Sequence, residues 1–478
     1  MRPFTKKIHM VGIGGAGMSP LAEVLRSRGH TVTGSDRAAS DASRRLETLG
    51  IKVQYDHEPN LVRDAELLVY SSAVREDNPE RRYAVDNGVP EIRRAEVLGD
   101  IMRSNFTVCV AGTHGKTTTT SLIGTVLTDA KMSPTVLVGG MLRSVGSHAI
   151  VGGGGIVVAE ADEYDRSFLA MYPTMAVITN IEADHLDCYA DLDDIKDTFV
   201  EFTDRVPFDG AVIACIDDDG VRGILPRIRR SLFTYGTDSR ADFRAVDIKF
   251  NGERTEFCVV YRRGLEIGRV SIGIPGMHNV MNTLAALAVA TETGIRFSVA
   301  ADSVSRFMGV KRRFEAVGVV NGVTVVDDYA HHPGEIAATI AAARSRGYGR
   351  VAVVFQPHLY TRTRDFMDQF AASLGAADVV VVTDIYKARE QPIPGVRAED
   401  IVNRIKAVDK KNTDNAGSVN NVVVKEPGGK VDACYVKDKN DVTGVLRGKV
   451  NRGDVLIFMG AGDIWEVARD FVVDGSGD

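Results

Sequence analysis

A chain of 478 residues is too long for one ordinary hydrophobic core, so two or three domains are expected. With 44% hydrophobic and 26% charged residues it has the composition of a soluble globular protein, and no apolar run approaches the roughly 18 residues of a membrane span. A formal net charge of −6 removes the cationic excess needed for general nucleic-acid binding, and five scattered cysteines (Cys109, Cys188, Cys215, Cys258, Cys434) fit a reducing cytoplasm and no zinc site.

The N-terminal segment Met1–Lys7 is basic, but Gly12–Gly17 interrupts the apolar run that a signal peptide would need. Strand signals at 8–13, 31–35 and 67–71 alternate with a helical pattern at 19–28, which predicts a parallel sheet covered by helices. The polar stretch Arg103–Asn105 precedes a fresh start: a strand at 106–111, a glycine loop and a helix from Lys116. Strands follow at 155–161 and 175–180, the pattern turns β-rich between Ala241 and Ile274, and helical periodicity returns at 279–293. A second boundary is expected near Arg312–Phe314. Beyond it come a strand at 323–327, helix 333–345, strand 351–355, helix 365–374 and strands 378–383 and 455–459. Asn412–Lys430, rich in Asn, Gly and Val, reads as an exposed loop. The fold class is α/β with three domains.

Gly12-Ile13-Gly14-Gly15-Ala16-Gly17 is a G-x-G-x-x-G loop between a strand and a helix, and Asp36 ends the next strand. Glycines let the backbone approach a diphosphate, and the helix N-terminus favours its charge. Any nucleoside diphosphate satisfies that chemistry, NAD(P) and a UDP-sugar alike. Gly112-Thr113-His114-Gly115-Lys116-Thr117-Thr118 is a second phosphate loop, with valine at position 110 where the common spacing has glycine. Lys116 suits β/γ-phosphates and Thr117 or Thr118 suits Mg²⁺, with ATP the expected nucleotide.

Glu160-Ala161-Asp162-Glu163 ends a strand, where carboxylates hold metal ions, and His185 stands among acids in Glu182–Asp187. Asn279 and Asn282 open a helix, as caps or as nucleotide contacts. Lys311-Arg312-Arg313 reads either as a solvated cluster or as the source of an arginine for the γ-phosphate. Asp327–Pro333 and Gln356–Arg364 each follow a strand, so polar groups gather at one mouth of the last sheet.

Taken in order, Gly12–Gly17, Gly112–Thr118, Glu160–Glu163, Asn180–His185, Gly276–Asn282, Arg312–Phe314 and Asp327–Pro333 run across nearly the whole chain. This set resembles the Mur ligase family. The resemblance implies a Rossmann-like UDP-binding domain (1–104), a central P-loop ATPase domain with a small β insert (105–312) and a Rossmann-like C-terminal domain that accepts an amino acid (313–478). It implies that Gly14, Gly15, Ala16, Gly17, Asp36, Ser71 and Ser72 bind a UDP-sugar. Gly112, Thr113, His114, Gly115, Lys116, Thr117, Thr118, Asn279, Asn282, Arg313 and Asp328 would bind ATP, and Thr117, Glu160 and His185 would surround Mg²⁺. Lys116, Glu160, His185, Asn279, Arg313 and Asp328 would form the catalytic set. His332 and Arg362 would meet the amino acid, and some members carry arginine where Leu359 stands here.

The implied activity is cytoplasmic and belongs to cell-wall precursor synthesis. ATP activates the lactoyl carboxylate of UDP-N-acetylmuramic acid as an acyl phosphate, and L-alanine attacks it to leave an amide, ADP and phosphate. The alternative within the family is a recycling member that adds a whole murein tripeptide to the same sugar.

Overall fold

The computed structural model describes residues 5–142, 147–185, 188–262, 264–388, 390–414 and 431–475. The chain divides into two compact units: Met1–Lys249 with Glu256–Gly273 and Asn279–Val310, and Phe250–Thr255 with Ile274–His278 and Lys311–Asp478. Among the described residues, three sheets, each the centre of one α/β domain, organise them.

In the first unit, β1 (Lys7–Val11), β2 (Thr31–Ser35), β3 (Lys52–Gln54), β4 (Leu67–Tyr70) and β5 (Glu91–Arg93) form a parallel sheet of order β3-β2-β1-β4-β5. Ile8, Met10 and Val11 are buried, as expected of a central strand covered on both faces. The strand order reverses between β1 and β4, and such a switch point leaves a crevice beyond the strand ends. The loops that leave β1 and β4 there are Gly12–Gly17 and the segment beginning at Ser71.

The second sheet has ten strands. In chain order they are β6 (Phe106–Ala111), β7 (Thr135–Leu142), β8 (Ser147–Ile150), β9 (Ile156–Ala161), β10 (Met175–Ile178), β11 (Ala211–Cys215), β12 (Ser231–Gly236), β13 (Phe243–Asn251), β14 (Arg254–Tyr261) and β15 (Leu265–Ile272). Their spatial order is β15-β14-β13-β12-β11-β10-β6-β9-β7-β8. Around β6 the pairing is parallel, with Ala111 opposite Ala161 on β9 and Ile178 on β10, so three strand ends converge where the second glycine loop begins. The β-rich stretch of the sequence becomes β13–β15 at one edge of this sheet.

The second unit carries β16 (Glu315–Val320), β17 (Val323–Asp328), β18 (Val351–Phe355), β19 (Val379–Thr383), β20 (Asp432–Val436) and β21 (Val455–Met459). Their order is β16-β17-β21-β18-β19-β20, with β16 antiparallel to β17 and the other neighbours parallel. Every residue of β18, β19 and β21 is buried, so their near-continuous apolar sequences are those of strands sandwiched between helices. The helix Pro333–Ser345 starts and ends as its sequence predicts, with Pro333 in the first turn and His332 as its cap.

Two segments differ from the sequence reading. The helix expected from Asp365 begins earlier, as Tyr360–Asp365, and breaks at Phe366 before Met367–Leu374, with the Phe366 ring edge-on to His332 at 4.8 Å. The helix Glu399–Asp414 includes Asn412–Asp414, where the loop was expected to start; the rest of that stretch, 415–430, lies outside the described residues. Among the described residues no helix is long and apolar enough to cross a membrane.

Candidate functional site

The first loop is shaped by its own backbone. Gly12 and Ile13 N–H donate to the Ser35 carbonyl at 2.8 and 2.9 Å, which ties the loop to the end of β2. The Gly14 N–H donates to Asp36 Oδ2 at 2.8 Å, and a Cβ on Gly14 would stand 2.8 Å from that same oxygen. Only glycine lets the loop and the acid lie this close. Asp36, expected to bind the UDP-sugar, thus also holds the loop. A Cβ on Gly12 would be 3.8 Å from Val74 and 4.0 Å from Ser71 Oγ, so the Ser71–Val74 turn closes the other side. Gly15 lies over the Gly12 carbonyl, and Gly17 lies beside the Arg94 guanidinium just ahead of the helix Met18–Ser27.

The second loop follows β6 and opens the helix Lys116–Asp129, with Gly115 at its N-cap in the left-handed region (φ +81°). Gly112 has φ +139°, a conformation open almost only to glycine, and a Cβ there would overlap Thr179 Oγ1. The segment after β10 clamps the loop from the side. Thr113 N–H donates to the Asn180 carbonyl at 3.1 Å, His114 N–H donates to Asn180 Oδ1 at 2.7 Å, and Thr179 Oγ1 donates to the His114 carbonyl at 2.6 Å. Lys116 Nζ folds back over the loop, donating to the Gly112 and Thr113 carbonyls and to both Glu163 oxygens at 2.9 and 3.1 Å. Burial opposes the ammonium charge, but the carboxylates of Glu163, Asp162 and Glu160 outweigh it and hold the Lys116 pKa above its ordinary value.

Two groups of metal-type donors flank this lysine. Thr117 Oγ1 lies 3.1 Å from Glu160 Oε2, and the other Glu160 oxygen accepts from Gly139 N–H at 2.6 Å. Asp162, Glu163 and His185 offer donor atoms all within 4.8 Å of one another, with His185 Nε2 at 4.0 Å from Glu163 Oε1. His185 has φ +56°, a cost a non-glycine residue bears only when its surroundings hold it there. The three expected metal residues thus fall in two places: Thr117 with Glu160, and His185 with Asp162 and Glu163.

Thr118 is buried in the first turn of the helix Lys116–Asp129. Asn282 lies more than a turn inside the helix Met277–Glu292, too deep to cap it. Its Oδ1 accepts from Thr119 Oγ1 at 3.1 Å, its Nδ2 donates to Asn279 Oδ1 at 3.1 Å, and a Cβ on Gly115 would come within 2.6 Å of it. The capping alternative for Asn282 is therefore set aside, and both asparagines sit buried beside the phosphate loop.

In the second unit, Asp328 ends β17 buried, accepting from Ala330 N–H at 2.8 Å and Phe314 N–H at 2.9 Å. Its neighbour Asp327 instead faces Arg312, Oδ2 to Nε at 3.3 Å. Arg313 Nη1 pairs with Glu335 Oε1 at 3.3 Å, and the other Glu335 oxygen accepts from His331 N–H at 3.0 Å. His332 is almost fully buried as the N-cap of Pro333–Ser345, whereas His331 is partly open and stands in a row of rings between Tyr329 at 5.2 Å and His358 at 6.0 Å, with Tyr386 5.8 Å beyond His358. Leu359 has φ +71° and begins the turn into Tyr360–Asp365, the helix that carries Arg362.

Sequence reasoning passed over Glu163 as the counter-charge of Lys116, Asn180 as the clamp of its loop, and His331 in the ring row. Glu163 stood in a quoted run of acids, but only the parallel pairing of β6 and β9 shows which of them reaches the lysine.

Three family models match in chain order: the Mur ligase family catalytic domain over 7–106, the Mur ligase middle domain over 110–290 and the Mur ligase glutamate ligase domain over 312–462. With two glycine loops at converging strand ends and matches along almost the whole length, the chain belongs to the Mur ligase family. It is 44% identical over 473 residues to UDP-N-acetylmuramate–L-alanine ligase of Geotalea uraniireducens, covering 99% of each chain. It is 47% identical over 470 residues to the ligase of the same name from Salinibacter ruber, covering 98% of this chain and 94% of that one. Among solved structures, UDP-N-acetylmuramate-alanine ligase from Thermotoga maritima matches with a TM-score of 0.81 at 28% identity, covering 98% of this chain and 99% of that one. A murein peptide ligase from Psychrobacter arcticus shares the fold, with a TM-score of 0.70, 24% identity and 99% of each chain covered.

Proposed function

We infer that this chain is an ATP-dependent, amide-forming ligase that joins L-alanine to the lactoyl carboxylate of UDP-N-acetylmuramic acid. The observation that carries the substrate assignment is likeness at 44–47% identity, along nearly the whole chain, to ligases bearing that name. The recycling alternative rests on likeness to solved murein peptide ligases at 24% identity over 99% of this chain and 29% over 64% of it, and is the weaker reading.

A carboxylate is a poor electrophile, so transfer of a phosphoryl group to it must come first; the acyl phosphate then accepts the alanine amine and releases phosphate. Phosphoryl transfer needs positioning and neutralised charge more than covalent help. In this reading the backbone N–H groups of Gly112–Lys116 and the Lys116 ammonium receive the phosphates, and Asn279 and Asn282 take further nucleotide contacts. Family resemblance alone adds Arg313 and Asp328 as nucleotide contacts. Gly14–Gly17, Asp36, Ser71 and Ser72 hold the UDP-sugar, and His332 and Arg362 receive the amino acid. His331, partly open beside the same turn, is a further candidate for taking the proton from the amine.

Mg²⁺ is part of this proposal. Support comes from the donors themselves: a threonine hydroxyl and a carboxylate 3.1 Å apart, Thr117 and Glu160, are the hard oxygen ligands that Mg²⁺ prefers, with Asp162, Glu163 and His185 close to the same loop. Bound there, the ion would neutralise charge on the transferring phosphoryl group. A cytoplasmic setting accords with ATP as co-substrate and with five free cysteines.

Product mass tests the substrate. Incubation with ATP, Mg²⁺ and UDP-N-acetylmuramic acid should add one alanyl residue when L-alanine and the murein tripeptide are offered together. Addition of the tripeptide alone would move the chain to the recycling branch.

A further inference from the structure

Glu80 and Arg81 are neighbours in the first turn of the helix Pro79–Asp86, whose cap Asn78 accepts from both of their N–H groups. Both are buried, although neither lies on a glycine loop. The Glu80 carboxylate is fully enclosed and meets four partners: His9 Nε2 at 2.8 Å and Gln54 Nε2 at 3.3 Å on one oxygen, Ser35 Oγ at 2.6 Å and His57 Nδ1 at 2.9 Å on the other. His9 continues the chain to Thr33 Oγ1 at 2.9 Å. Burial alone would push the Glu80 carboxyl up, but the bonds from His9, Ser35 and His57 outweigh it and hold it below its ordinary pKa. A buried carboxylate with this many donors is a strong fixed point, because moving any donor leaves charge unsatisfied.

Ser35 is what that point fixes. Its carbonyl accepts from Gly12 and Ile13, and the next residue, Asp36, accepts from Gly14. Arg81 turns the other way. Its guanidinium lies 3.8 Å over the Tyr70 ring, pairs with Glu91 at 2.7 and 2.9 Å, and donates to the Val74 carbonyl at 3.1 Å. Tyr70 ends β4 immediately before Ser71 and Ser72, and Val74 N–H closes the turn onto the Ser71 carbonyl.

We propose that Glu80 and Arg81 are positioning residues for the nucleotide-sugar site: from one helical turn, Glu80 braces the Gly12–Gly17 loop through Ser35, and Arg81 braces the Ser71–Val74 turn through Tyr70 and Val74. The proposal rests on the reading of those two loops as the UDP-sugar site. The contacts described for both residues are with His9, Ser35, Gln54, His57, Tyr70, Val74, Asn78 and Glu91, so the effect of each falls on binding of the sugar nucleotide and leaves the chemical step alone.

Steady-state kinetics of the full chain test this. Glu80→Gln turns one acceptor oxygen into a donor that faces other donors, and KM for UDP-N-acetylmuramic acid should rise at least about tenfold. The kcat should stay within about twofold, and KM for ATP and for L-alanine should not move. Arg81→Lys, which loses the paired contact to Glu91, should give the same pattern more weakly. Ser35→Ala removes only the linking hydroxyl and serves if Glu80→Gln does not fold. Leu46→Ala, buried in the same domain, lowers stability without this KM pattern. Gly14→Val is the direct probe of the loop. If Gly14→Val raises KM for the sugar nucleotide while Glu80→Gln, Ser35→Ala and Arg81→Lys do not, the bracing role is overturned and the loop assignment stands. If Gly14→Val has no effect, the loop assignment fails and the proposal falls with it. A uniform loss of kcat and all affinities in the Glu80 and Leu46 variants alike would reduce Glu80 to a structural residue and also overturn the proposal.

Discussion

The Lys116 ammonium lies between the two oxygens of Glu163, 2.9 and 3.1 Å away, while also donating to the Gly112 and Thr113 carbonyls. Against burial, the carboxylates of Glu163, Asp162 and Glu160 raise the Lys116 pKa. A group whose folded pKa is raised contributes its full stability below its unfolded pKa, near 10.4, and loses it only as pH climbs through the higher folded value. Glu163→Gln should therefore cost about 3 kcal/mol, the scale for breaking a largely buried pair, and the deficit should be constant from about pH 6 to 9. Urea unfolding across that range checks it, and a deficit that vanished below pH 9 would show that the pair is not what stabilises the loop.

Lys116→Ala removes the ammonium to which the proposed function gives the phosphates. Loss of a single charge-stabilising donor typically costs about 10²-fold or more in kcat, and that is the expected loss here. Binding of UDP-N-acetylmuramic acid to the first domain, followed by titration calorimetry, should be unchanged.

Thr117 and Glu160 share one hydrogen bond that a divalent cation would replace. Thr117→Val keeps the side-chain shape and deletes one oxygen ligand. The Mg²⁺ concentration for half-maximal turnover should rise about tenfold, and EDTA should abolish turnover in both proteins until Mg²⁺ is restored.

Burial pushes the Asp327 carboxyl up to about 7, against the pull of Arg312 at 3.3 Å. In the unfolded chain an aspartate titrates near 3.9, so the folded protein keeps a proton through a window in which the unfolded chain has lost it. This group thus favours folding below about pH 4, and that contribution is withdrawn as pH rises toward 7. Asp327→Asn cannot ionise. Between pH 4 and 7.5 the native chain should lose stability relative to the variant, by roughly 3 to 4 kcal/mol, measured as ΔG of urea unfolding at each pH. Parallel pH profiles would contradict the burial argument.

What the sequence made legible was local. Gly12–Gly17 and Gly112–Thr118 announce themselves because glycine and lysine are needed at fixed offsets, and Pro333 with its preceding histidine marks a helix start that the structure reproduces. The rest depended on contacts distant in sequence. Glu163 meets Lys116 only because β9 pairs with β6, and Glu80 meets His9 across 71 positions. Asn282 looked like a residue of a helix start, whereas it serves the phosphate loop from more than a turn inside. The break at Phe366 was equally hidden, since its ring packs against His332, a residue more than thirty positions earlier.

In the proposed function two nucleotide sites serve one amide-forming reaction. ADP release by the purified chain with Mg²⁺ and ATP measures it most directly, with UDP-N-acetylmuramic acid and L-alanine added singly and together. Sustained ADP release is expected only when both are present, in proportion to alanylated product. Equal release without L-alanine, or none with both, would contradict it.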